Sequence, residues 1–258
     1  MTRASRLATI LDILATHGEV SVEHLVEQLE ASPATVRRDL DALAEQHLLT
    51  RTHGGATGQS FAYELPIRYK SQLRTDQKRR IAQACSAFIS PGSVVGLSGG
   101  TTTTAIAGIV AARDDINDVG LTVVTNAVNI ATELATRPAI KVVVTGGVIH
   151  ARSYELVGSF AEQTLAGIRM DMSFIGVNAL DAAAGASTHD EREAAVNRIM
   201  AQRSHRALIV ADSSKIGSFA FATVGDANLF HTIVTDSDID PTHLSALNDA
   251  GYEVIVAS

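Results

Sequence analysis

Two adjacent arginines follow a helix start near residue 32. Ser32 is a good N-cap, and Pro33 takes the first helical position, where its missing N–H costs no hydrogen bond. Arg37 and Arg38 then lie away from the apolar face of this helix. An arginine fork can pair with guanine O6 and N7 or with phosphate oxygens. The candidate DNA contacts are Ser32, Thr35, Arg37, Arg38, Arg51 and His53, the last two on a following hairpin.

A simpler interpretation of the same segment stays open at this point. Paired arginines often form only a solvated helix face, and Asp39 and Asp41 could pair with them locally. Spacing alone does not decide between a DNA-binding helix and a solvated one.

A second candidate site follows an apolar run at Val94–Leu97. Glycines there let backbone N–H groups approach an anion, threonine hydroxyls add donors, and a helix N-terminus is electropositive. The loop is neither a Walker A motif nor a G-x-G-x-x-G fingerprint, because no lysine follows and the glycine spacing differs. The alternative interpretation is an ordinary polar turn between a strand and a helix. The residues concerned are Ser98, Gly99, Gly100, Thr101, Thr102 and Thr103.

Polar residues also follow other predicted strands. In doubly wound sheets, ligands bind at the carboxyl ends of the strands, so several polar strand ends favour one pocket over separate turns. A lysine there would be a compact positive charge suited to phosphate. The additional candidate ligand contacts are Thr125, Asn126, Gly146, Gly147, Asp181 and Lys215.

The elements that must position these residues differ between the two ends of the chain. The first 57 residues predict three short helices with helix-turn-helix geometry and a hairpin, and residues 58–75 predict a linker. Residues 76–258 alternate strand-like and helix-like segments, which predicts an α/β domain with a mainly parallel, Rossmann-like sheet. The predicted strands are Val94–Leu97, Leu121–Thr125, Ile140–Thr145, Met172–Val177, Ala207–Ala211, Thr232–Thr235 and Val254–Val256. The predicted helices between them are Thr103–Ala112, Val128–Ala135, Ser159–Ala166, Glu191–Gln202 and His243–Ala250.

Charge and composition exclude several classes of protein. The 258 residues carry a net charge of −7. Residues 1–80 hold eleven Lys or Arg against ten Asp or Glu, so the excess of negative charge lies in residues 81–258. Cys85 is the single cysteine, which excludes an intrachain disulfide and a cysteine-rich zinc site and favours the cytoplasm. We expect no signal peptide, membrane span, metal or cofactor.

The N-terminal motif resembles the signature of the DeoR/GlpR family of bacterial transcriptional regulators. In that family a Ser…Thr-x-Arg-Arg-Asp-Leu helix precedes Leu…Arg-x-His-Gly-Gly-Ala. The resemblance implies a winged helix-turn-helix whose third helix enters the major groove. It makes Arg37 and Arg38 the expected DNA contacts and Asp39 a structural partner of an arginine. The matching residues are Ser32, Thr35, Arg37, Arg38, Asp39, Leu40, Leu43, Leu48, Arg51, His53, Gly54, Gly55 and Ala56.

Residues 76–258 resemble the same family, so that together with the N-terminal motif the resemblance covers nearly the whole chain. The matching segments are Ser98–Thr103, Thr125-Asn126, Gly146-Gly147, Phe174–Val177 and Asp212–Lys215. The resemblance implies an effector domain related to sugar-phosphate isomerases and CoA transferases, whose ligand, a phosphorylated sugar or a related metabolite, releases the regulator from its operator. Asn197 departs from the family, because many members carry lysine there, so the effector class could differ.

Three functions follow as hypotheses. The first is a repressor of sugar-metabolism genes that binds double-stranded operator DNA as a homodimer or homotetramer, since two-fold operators mirror protein symmetry. The second is a sugar-phosphate isomerase-like enzyme with Asp181 as its base, although no second acid or base is apparent. The third is a CoA-transferase-like or purely structural relative, and for a transferase Glu155 is the nearby candidate nucleophile. The DNA-binding signature favours the regulator over an enzyme.

Overall fold

The chain forms two compact units. The computed structural model describes residues 1–58 and 66–258, and these divide into Met1–Leu73 and Arg74–Ser258. Each unit has its own hydrophobic core.

The first unit contains four helices whose starts are set by side-chain caps or proline. The side chains of Thr2, Ser21 and Ser32 each accept a hydrogen bond from a backbone N–H in the first turn of the helix that follows. Leu25 and Leu40 are fully buried between the helices. The helices are α1 (Arg3–His17), α2 (Val22–Leu29), α3 (Pro33–Glu45) and α4 (Ile67–Lys70).

A small antiparallel sheet completes this unit. Its strands are β1 (Glu19–Ser21), β2 (Thr50–Arg51) and β3 (Gly55–Thr57), in the order β1-β3-β2. A Cβ on Gly55 would overlap the carbonyl oxygen of Val20, so only glycine allows β3 to approach β1 this closely. Three helices and this sheet make a winged helix-turn-helix, as the resemblance implied. The hairpin was predicted, whereas β1 was not.

The structure differs from the predicted linker over its second half. Residues 59–65 lie outside the described residues, but Ile67 and Tyr69 of α4 are buried. Tyr69 belongs to the core of the first unit, and its hydroxyl donates to Gln46 Oε1 at 2.7 Å. Aromatic burial therefore fixes residues 67–70 to the first unit.

A seven-stranded parallel sheet forms the centre of the second unit, so the predicted fold class is confirmed. Its strands are β4 (Val94–Leu97), β5 (Leu121–Thr125), β6 (Ile140–Val144), β9 (Met170–Gly176), β12 (Ser204–Val210), β14 (Thr232–Asp236) and β15 (Glu253–Ala257). Each predicted strand is among them, and their order across the sheet is β15-β14-β12-β9-β4-β5-β6.

Helices cover both faces of this sheet. Phe174 and Leu208 point into one hydrophobic cluster, while their neighbours Ile175 and Ile209 point into the other. Continuous apolar strands of this kind are typical of parallel sheets. The helices are α5 (Thr75–Ser86), α6 (Thr101–Ala111), α7 (Asp114–Val119), α8 (Val128–Leu134), α9 (Ser159–Ala166), α10 (Glu191–Gln202) and α11 (Pro241–Asp249).

Short antiparallel strands flank the main sheet and were not predicted. A hairpin pairs β7 (Val148–His150) with β8 (Glu155–Val157), and a side sheet joins β10 (Ala179–Asp181), β11 (Gly185–Thr188) and β13 (Ala222–Gly225). Across 1–58 and 66–258, no helix is both long and apolar enough to cross a membrane.

Candidate nucleic-acid interface and ligand site

Helix α3 is anchored by one apolar face. Val36, Leu40 and Leu43 have no exposed surface, whereas Arg37 and Arg38 on the same helix are exposed. Because burial fixes which side of α3 faces the core, both arginines are left on the solvent side.

Ser32 caps the start of α3 through two contacts with Thr35. Ser32 Oγ accepts a hydrogen bond from Thr35 N at 3.2 Å and lies 2.9 Å from Thr35 Oγ1. The two side chains that the sequence placed at this helix start are therefore in contact.

The acidic residues of α3 do not pair with its arginines as the simpler interpretation supposed. Asp39 is buried and forms an ion pair with Arg6 of α1, and Arg3 Nε lies 3.7 Å from it. Asp41 pairs with Arg51 at 3.0 Å. The structure thus gives Asp39 the structural role that the resemblance implied, with Arg6 as the arginine it holds.

Sequence reasoning missed a basic recess between α1 and α3. Its volume is about 430 Å³, and its lining includes Arg3 and Arg6 of α1. The Arg3 side chain is 67% exposed. Two arginines three residues apart in the first turn of α1 were the available signal, since that spacing places them on one helix face. The lining residues are Arg3, Arg6, Thr35, Arg38 and Asp39.

The two predicted DNA contacts on the wing, which is the hairpin of β2 and β3, have different environments. Arg51 is partly buried, and its Nη1 donates to the carbonyl oxygen of Gly55 at 2.7 Å in addition to its pair with Asp41. His53 is exposed at the turn between β2 and β3. Arg51 therefore holds the wing to α3, and His53 is the more accessible of the two.

In the second unit, the loop between β4 and α6 (residues 98–100, called the glycine loop below) lies where the chain reverses its direction across the sheet. From β4 the chain proceeds to β5 and β6 on one side, whereas β9 pairs with β4 on the other. The loop after β4 therefore borders the topological switch point, where open α/β sheets bind their ligands. Ser98 Oγ joins the two strand ends by accepting a hydrogen bond from Gly176 N at 2.9 Å.

Glycine geometry shapes the start of α6. Gly100 has a φ of 124°, in the range that side chains disfavour. The hydroxyls of Thr103 and Thr104 donate to the Gly100 carbonyl oxygen at 3.0 and 2.6 Å. Thr102 and Thr103 are buried, while Thr101 is partly exposed. These threonines thus stabilise the loop, and the backbone N–H groups at the start of α6 are the feature suited to an anion.

The polar residues at the end of β5, Thr125 and Asn126, are fully buried. Thr125 Oγ1 donates to the Leu97 carbonyl oxygen at 2.7 Å and accepts from Ala127 N at 3.0 Å, so it ties β5 to β4. Asn126 Nδ2 donates to Glu155 Oε2 at 3.0 Å. Among the described residues, Asn126 Oδ1 has no hydrogen-bond partner.

Glu155 is the acidic residue nearest the glycine loop. It is 5% exposed, and a Cβ on Gly99 would overlap its Cγ, Cδ and Oε1 atoms. The side chain thus packs directly against the loop. Sequence reasoning considered Glu155 only as a transferase nucleophile, because nothing local to residue 155 indicates this contact.

The glycines after β6 have a structural explanation. Gly147 has a φ of 124°, and a Cβ there would lie 2.7 Å from the Val157 carbonyl oxygen. Gly146 has a φ of 72° and is exposed. The strand end of β6 adjoins that of β5, but Gly147 is required chiefly by the close approach of β8.

Asp181 and Lys215 lie on neighbouring segments beside the main sheet. Leu180 forms a bridge with Ile216, which brings β10 next to the 3₁₀ turn Ser213–Lys215. Asp181 Oδ1 accepts hydrogen bonds from the N–H groups of Ala183 and Ala184, each at 2.9 Å.

These backbone hydrogen bonds hold the pKa of the Asp181 carboxyl below its ordinary value, and the bond from the Ala184 N–H has the largest effect. A carboxylate with a lowered pKa is a weaker general base. This geometry argues against Asp181 as the base of an isomerase.

A histidine–carboxylate network fixes the β7–β8 hairpin. His150 Nδ1 lies 2.8 Å from Glu193 Oε1 and 3.0 Å from Ser153 Oγ. Ser153 Oγ also donates to the buried Glu193 and accepts weakly from Glu155 N at 3.4 Å. Among the described residues, no group of three His, Cys, Asp or Glu side chains could hold a metal ion.

Two family models match the chain. The DeoR-like helix-turn-helix domain matches residues 6–60, and the DeoR C terminal sensor domain matches residues 73–237. Each model matches most of one unit.

Three curated relatives align over nearly their whole length. The chain is 34% identical to a putative aga operon transcriptional repressor of Escherichia coli O157:H7, covering 98% of this chain and 93% of that protein. It is 29% identical to the glycerol-3-phosphate regulon repressor of Escherichia coli strain K12 (96% and 97%). It is 30% identical to the HTH-type transcriptional repressor GlcR of Bacillus subtilis strain 168 (99% and 97%). All three are named as regulators and none as an enzyme.

The winged helix-turn-helix, the parallel α/β unit, both family models and these relatives lead to one conclusion. The chain belongs to the DeoR family of transcriptional regulators.

Proposed function

We propose that this protein is a sequence-specific repressor of sugar-metabolism genes, released from its operator by a phosphorylated sugar or a related metabolite. The observation that supports sequence-specific DNA binding is the arrangement of α3, which buries Leu40 and Leu43 and leaves Arg37 and Arg38 exposed. The relatives' names, among them an aga operon repressor and a glycerol-3-phosphate regulon repressor, support a role in sugar metabolism.

The exposed arginines suit direct reading of DNA. Arg38 Nε donates to the Ala34 carbonyl oxygen at 3.2 Å, and the side chain is otherwise exposed to solvent. Such a fork can pair with a guanine edge in the major groove. Ser32 and Thr35 at the start of α3 and His53 on the wing are proposed to contact the DNA backbone.

The glycine loop supports an anionic effector. Backbone N–H groups at the start of the eleven-residue helix α6 meet the end of β4 beside the switch point. Phosphate groups bind favourably at such helix starts. The proposed contacts include Gly99, Gly100 and Thr101, with Lys215 supplying positive charge.

Release requires coupling between two equilibria. The effector must bind the DNA-free arrangement more tightly than the DNA-bound one, since a ligand with equal affinity for both shifts nothing. A homodimer or homotetramer is proposed because a two-fold operator would be read by two copies of α3.

A fluorescence-anisotropy titration tests the proposal. Labelled DNA from upstream of the gene and its neighbours is titrated with the full-length protein, then challenged with a panel of sugar phosphates. We expect specific binding that at least one phosphorylated sugar weakens about tenfold or more, which corresponds to the usual coupling energies of 1–3 kcal/mol. The matched unphosphorylated sugars serve as controls. Specific DNA binding that no phosphorylated ligand weakens would contradict the proposed effector. Absence of specific binding would contradict the proposed role as a sequence-specific repressor.

Arg3 offers a separate test of the recess between α1 and α3. Because its side chain is largely exposed beside Arg38, we expect Arg3 to contact a phosphate instead of a base. In Arg3→Ala, the slope of log K against log salt should become shallower by about 1, with similar losses on specific and non-specific DNA. Arg137→Ala, which removes an exposed arginine of the second unit, is the control. An unchanged slope would show that Arg3 does not contact a DNA phosphate.

A further inference from the structure

Exposed apolar side chains cluster around the end of strand β6. Among the described residues, ten large apolar side chains are exposed, and five of them belong to residues 144–160, between the end of β6 and the first turn of α9. Apolar side chains that are exposed together mark interaction sites, whereas isolated ones need no explanation. We call these five the β6 patch: Val144, Val148, Ile149, Tyr154 and Phe160.

Hydrogen bonds bring the parts of the β6 patch next to one another. Thr164 Oγ1 of α9 donates to the carbonyl oxygen of Thr145, the residue that follows β6, at 2.7 Å. The same hydroxyl reaches the carbonyl oxygen of Phe160, one helical turn earlier, at 3.0 Å. Strand β7, which begins at Val148, follows Thr145 after two glycines. The start of α9 and the outer strand of the hairpin therefore both adjoin the end of β6.

Strand β6 is itself an edge of the main sheet. Within residues 1–58 and 66–258, β5 is its only neighbouring strand. Its other side therefore presents backbone N–H and C=O groups that a further strand can bond. Charged residues commonly protect such edges from pairing, but Lys141 is the one charged residue of β6, and the rest are isoleucine or valine. This edge is thus suited to pairing with a strand of another molecule.

The sequence of β6 suits pairing with a second copy of itself. A two-fold axis through Val142, the central residue, aligns all five residues of the strand with those of an antiparallel copy. Lys141 of one copy then lies opposite Val143 of the other, so like charges do not face each other across the pair. A self-complementary surface of this kind is what a two-fold interface requires.

The distribution of charge also favours contact at this surface. Residues 81–258 hold ten Lys or Arg against eighteen Asp or Glu, so two copies of the second unit repel each other over much of their surface. Between residues 140 and 160 the only acidic residue is Glu155, which is buried. Two copies can therefore approach here without bringing exposed carboxylates together.

We propose that β6 and the β6 patch form a two-fold interface between two copies of this chain. Each β6 pairs antiparallel with the other, and the apolar side chains of β7 and α9 extend the contact. They are needed because specific interfaces bury about 1,200–2,000 Å² in total, of which a five-residue strand supplies only part. The choice of a second copy rests on the proposed function, in which two copies read a two-fold operator. The inference adds the surface that joins them.

Sedimentation equilibrium of the full-length chain tests this interface. At about 10 µM, we expect the wild type to sediment as a dimer or a larger even multiple of the chain. Phe160→Glu should sediment at half the wild-type mass, with a dissociation constant raised at least about 100-fold, because a two-fold interface buries the new charge twice. Val148→Glu should act in the same direction. A glutamate in the first turn of α9 is favourable to the helix, so Phe160→Glu should fold.

Two matched variants supply the control. Phe160 and Val148 are 68% and 62% exposed, and Phe219 and Val119, outside the β6 patch, are 79% and 66% exposed. Phe219→Glu and Val119→Glu therefore introduce the same charge at comparably exposed apolar positions, and both should keep the wild-type mass. Circular dichroism checks that every variant is folded. Should Phe160→Glu fail to fold, Val148→Glu replaces it.

Hydrogen exchange reports on the strand itself. The N–H groups of β6 that do not bond to β5 exchange slowly only where another strand covers them. We expect these amides to be protected in the wild type and in Phe219→Glu, and to exchange at least about tenfold faster in Phe160→Glu. Equal exchange in the wild type and Phe160→Glu would contradict the pairing of β6.

The outcomes separate this inference from the proposed function. A wild type that sediments as a single chain overturns the interface, and so does an unchanged mass in both Phe160→Glu and Val148→Glu. A loss of mass in Phe219→Glu alone would place the contact at the side sheet and overturn it as well. Specific operator binding in any of these cases leaves the proposed repressor in place. A halved mass in Phe160→Glu without specific operator binding by the wild type would support the interface and contradict the repressor.

Discussion

A chain carrying both Arg37→Ala and Arg38→Ala is expected to lose specific operator binding while folding normally. Both side chains are exposed on α3, opposite the buried Val36, Leu40 and Leu43. Each well-formed arginine–base pair contributes about 1–3 kcal/mol of discrimination, so losing two raises the operator Kd by at least about 30-fold. Alanine favours helix, so α3 itself should persist.

Anisotropy with operator and scrambled DNA measures this effect. The control is Arg137→Ala, which removes an exposed positive charge from the second unit. Thermal unfolding followed by circular dichroism should match the wild type for both variants. Normal operator binding by the double variant would show that the DNA contacts lie elsewhere on the first unit.

Asp39→Ala is expected to destabilise the first unit far more than Asp41→Ala. The Asp39 side chain is 3% exposed and pairs with Arg6, whose side chain is 16% exposed. Removing one partner of a buried pair leaves the other charge poorly solvated, which costs about 2–4 kcal/mol at such a partly solvated site. Asp41 is 59% exposed beside Arg51, so its loss should cost less than about 1 kcal/mol.

Native-state hydrogen exchange of the α1 and α3 amides resolves this difference, because it reports the stability of the first unit separately from the second. The double variant Arg6→Ala/Asp39→Ala supplies the coupling energy. Equal losses from Asp39→Ala and Asp41→Ala would contradict a buried structural pair. Operator affinity should also fall in Asp39→Ala, since this pair joins α1 to α3.

The main sheet could be predicted because of the way parallel strands are buried. Segments such as Val94–Leu97 and Leu121–Thr125 are covered on both faces, so they read as short runs of mostly apolar and β-branched residues between helices. The strands of the hairpin and the side sheet have three or four residues each and mix polar with apolar types. Such short segments carry too little periodicity to be distinguished from turns.

The site was predictable only in its local parts. The glycine loop, the cap at Ser32 and the exposed arginines follow from neighbouring residues in the chain. The pair between Arg6 and Asp39 joins residues 33 positions apart, and the contact of Glu155 with Gly99 joins β8 to the loop after β4. Tertiary folding alone brings these residues together, so the sequence did not identify Arg6 as the arginine that pairs with Asp39 or Gly99 as a contact of Glu155. Tyr69 is likewise part of the hydrophobic core of the first unit only because of tertiary packing, which the local sequence does not indicate.

The pairing order of the central sheet bears on how the protein emerges during synthesis. The first unit ends at Leu73 and makes its contacts within that short stretch, whereas β4 must wait for β9, at Met170–Gly176, before its second edge is paired. At ribosomal rates of about 5–20 residues per second, residues 74–258 take on the order of 10–40 s to appear. Each nascent chain therefore passes through an interval with a finished DNA-binding unit and a sensor sheet that is still open at its centre.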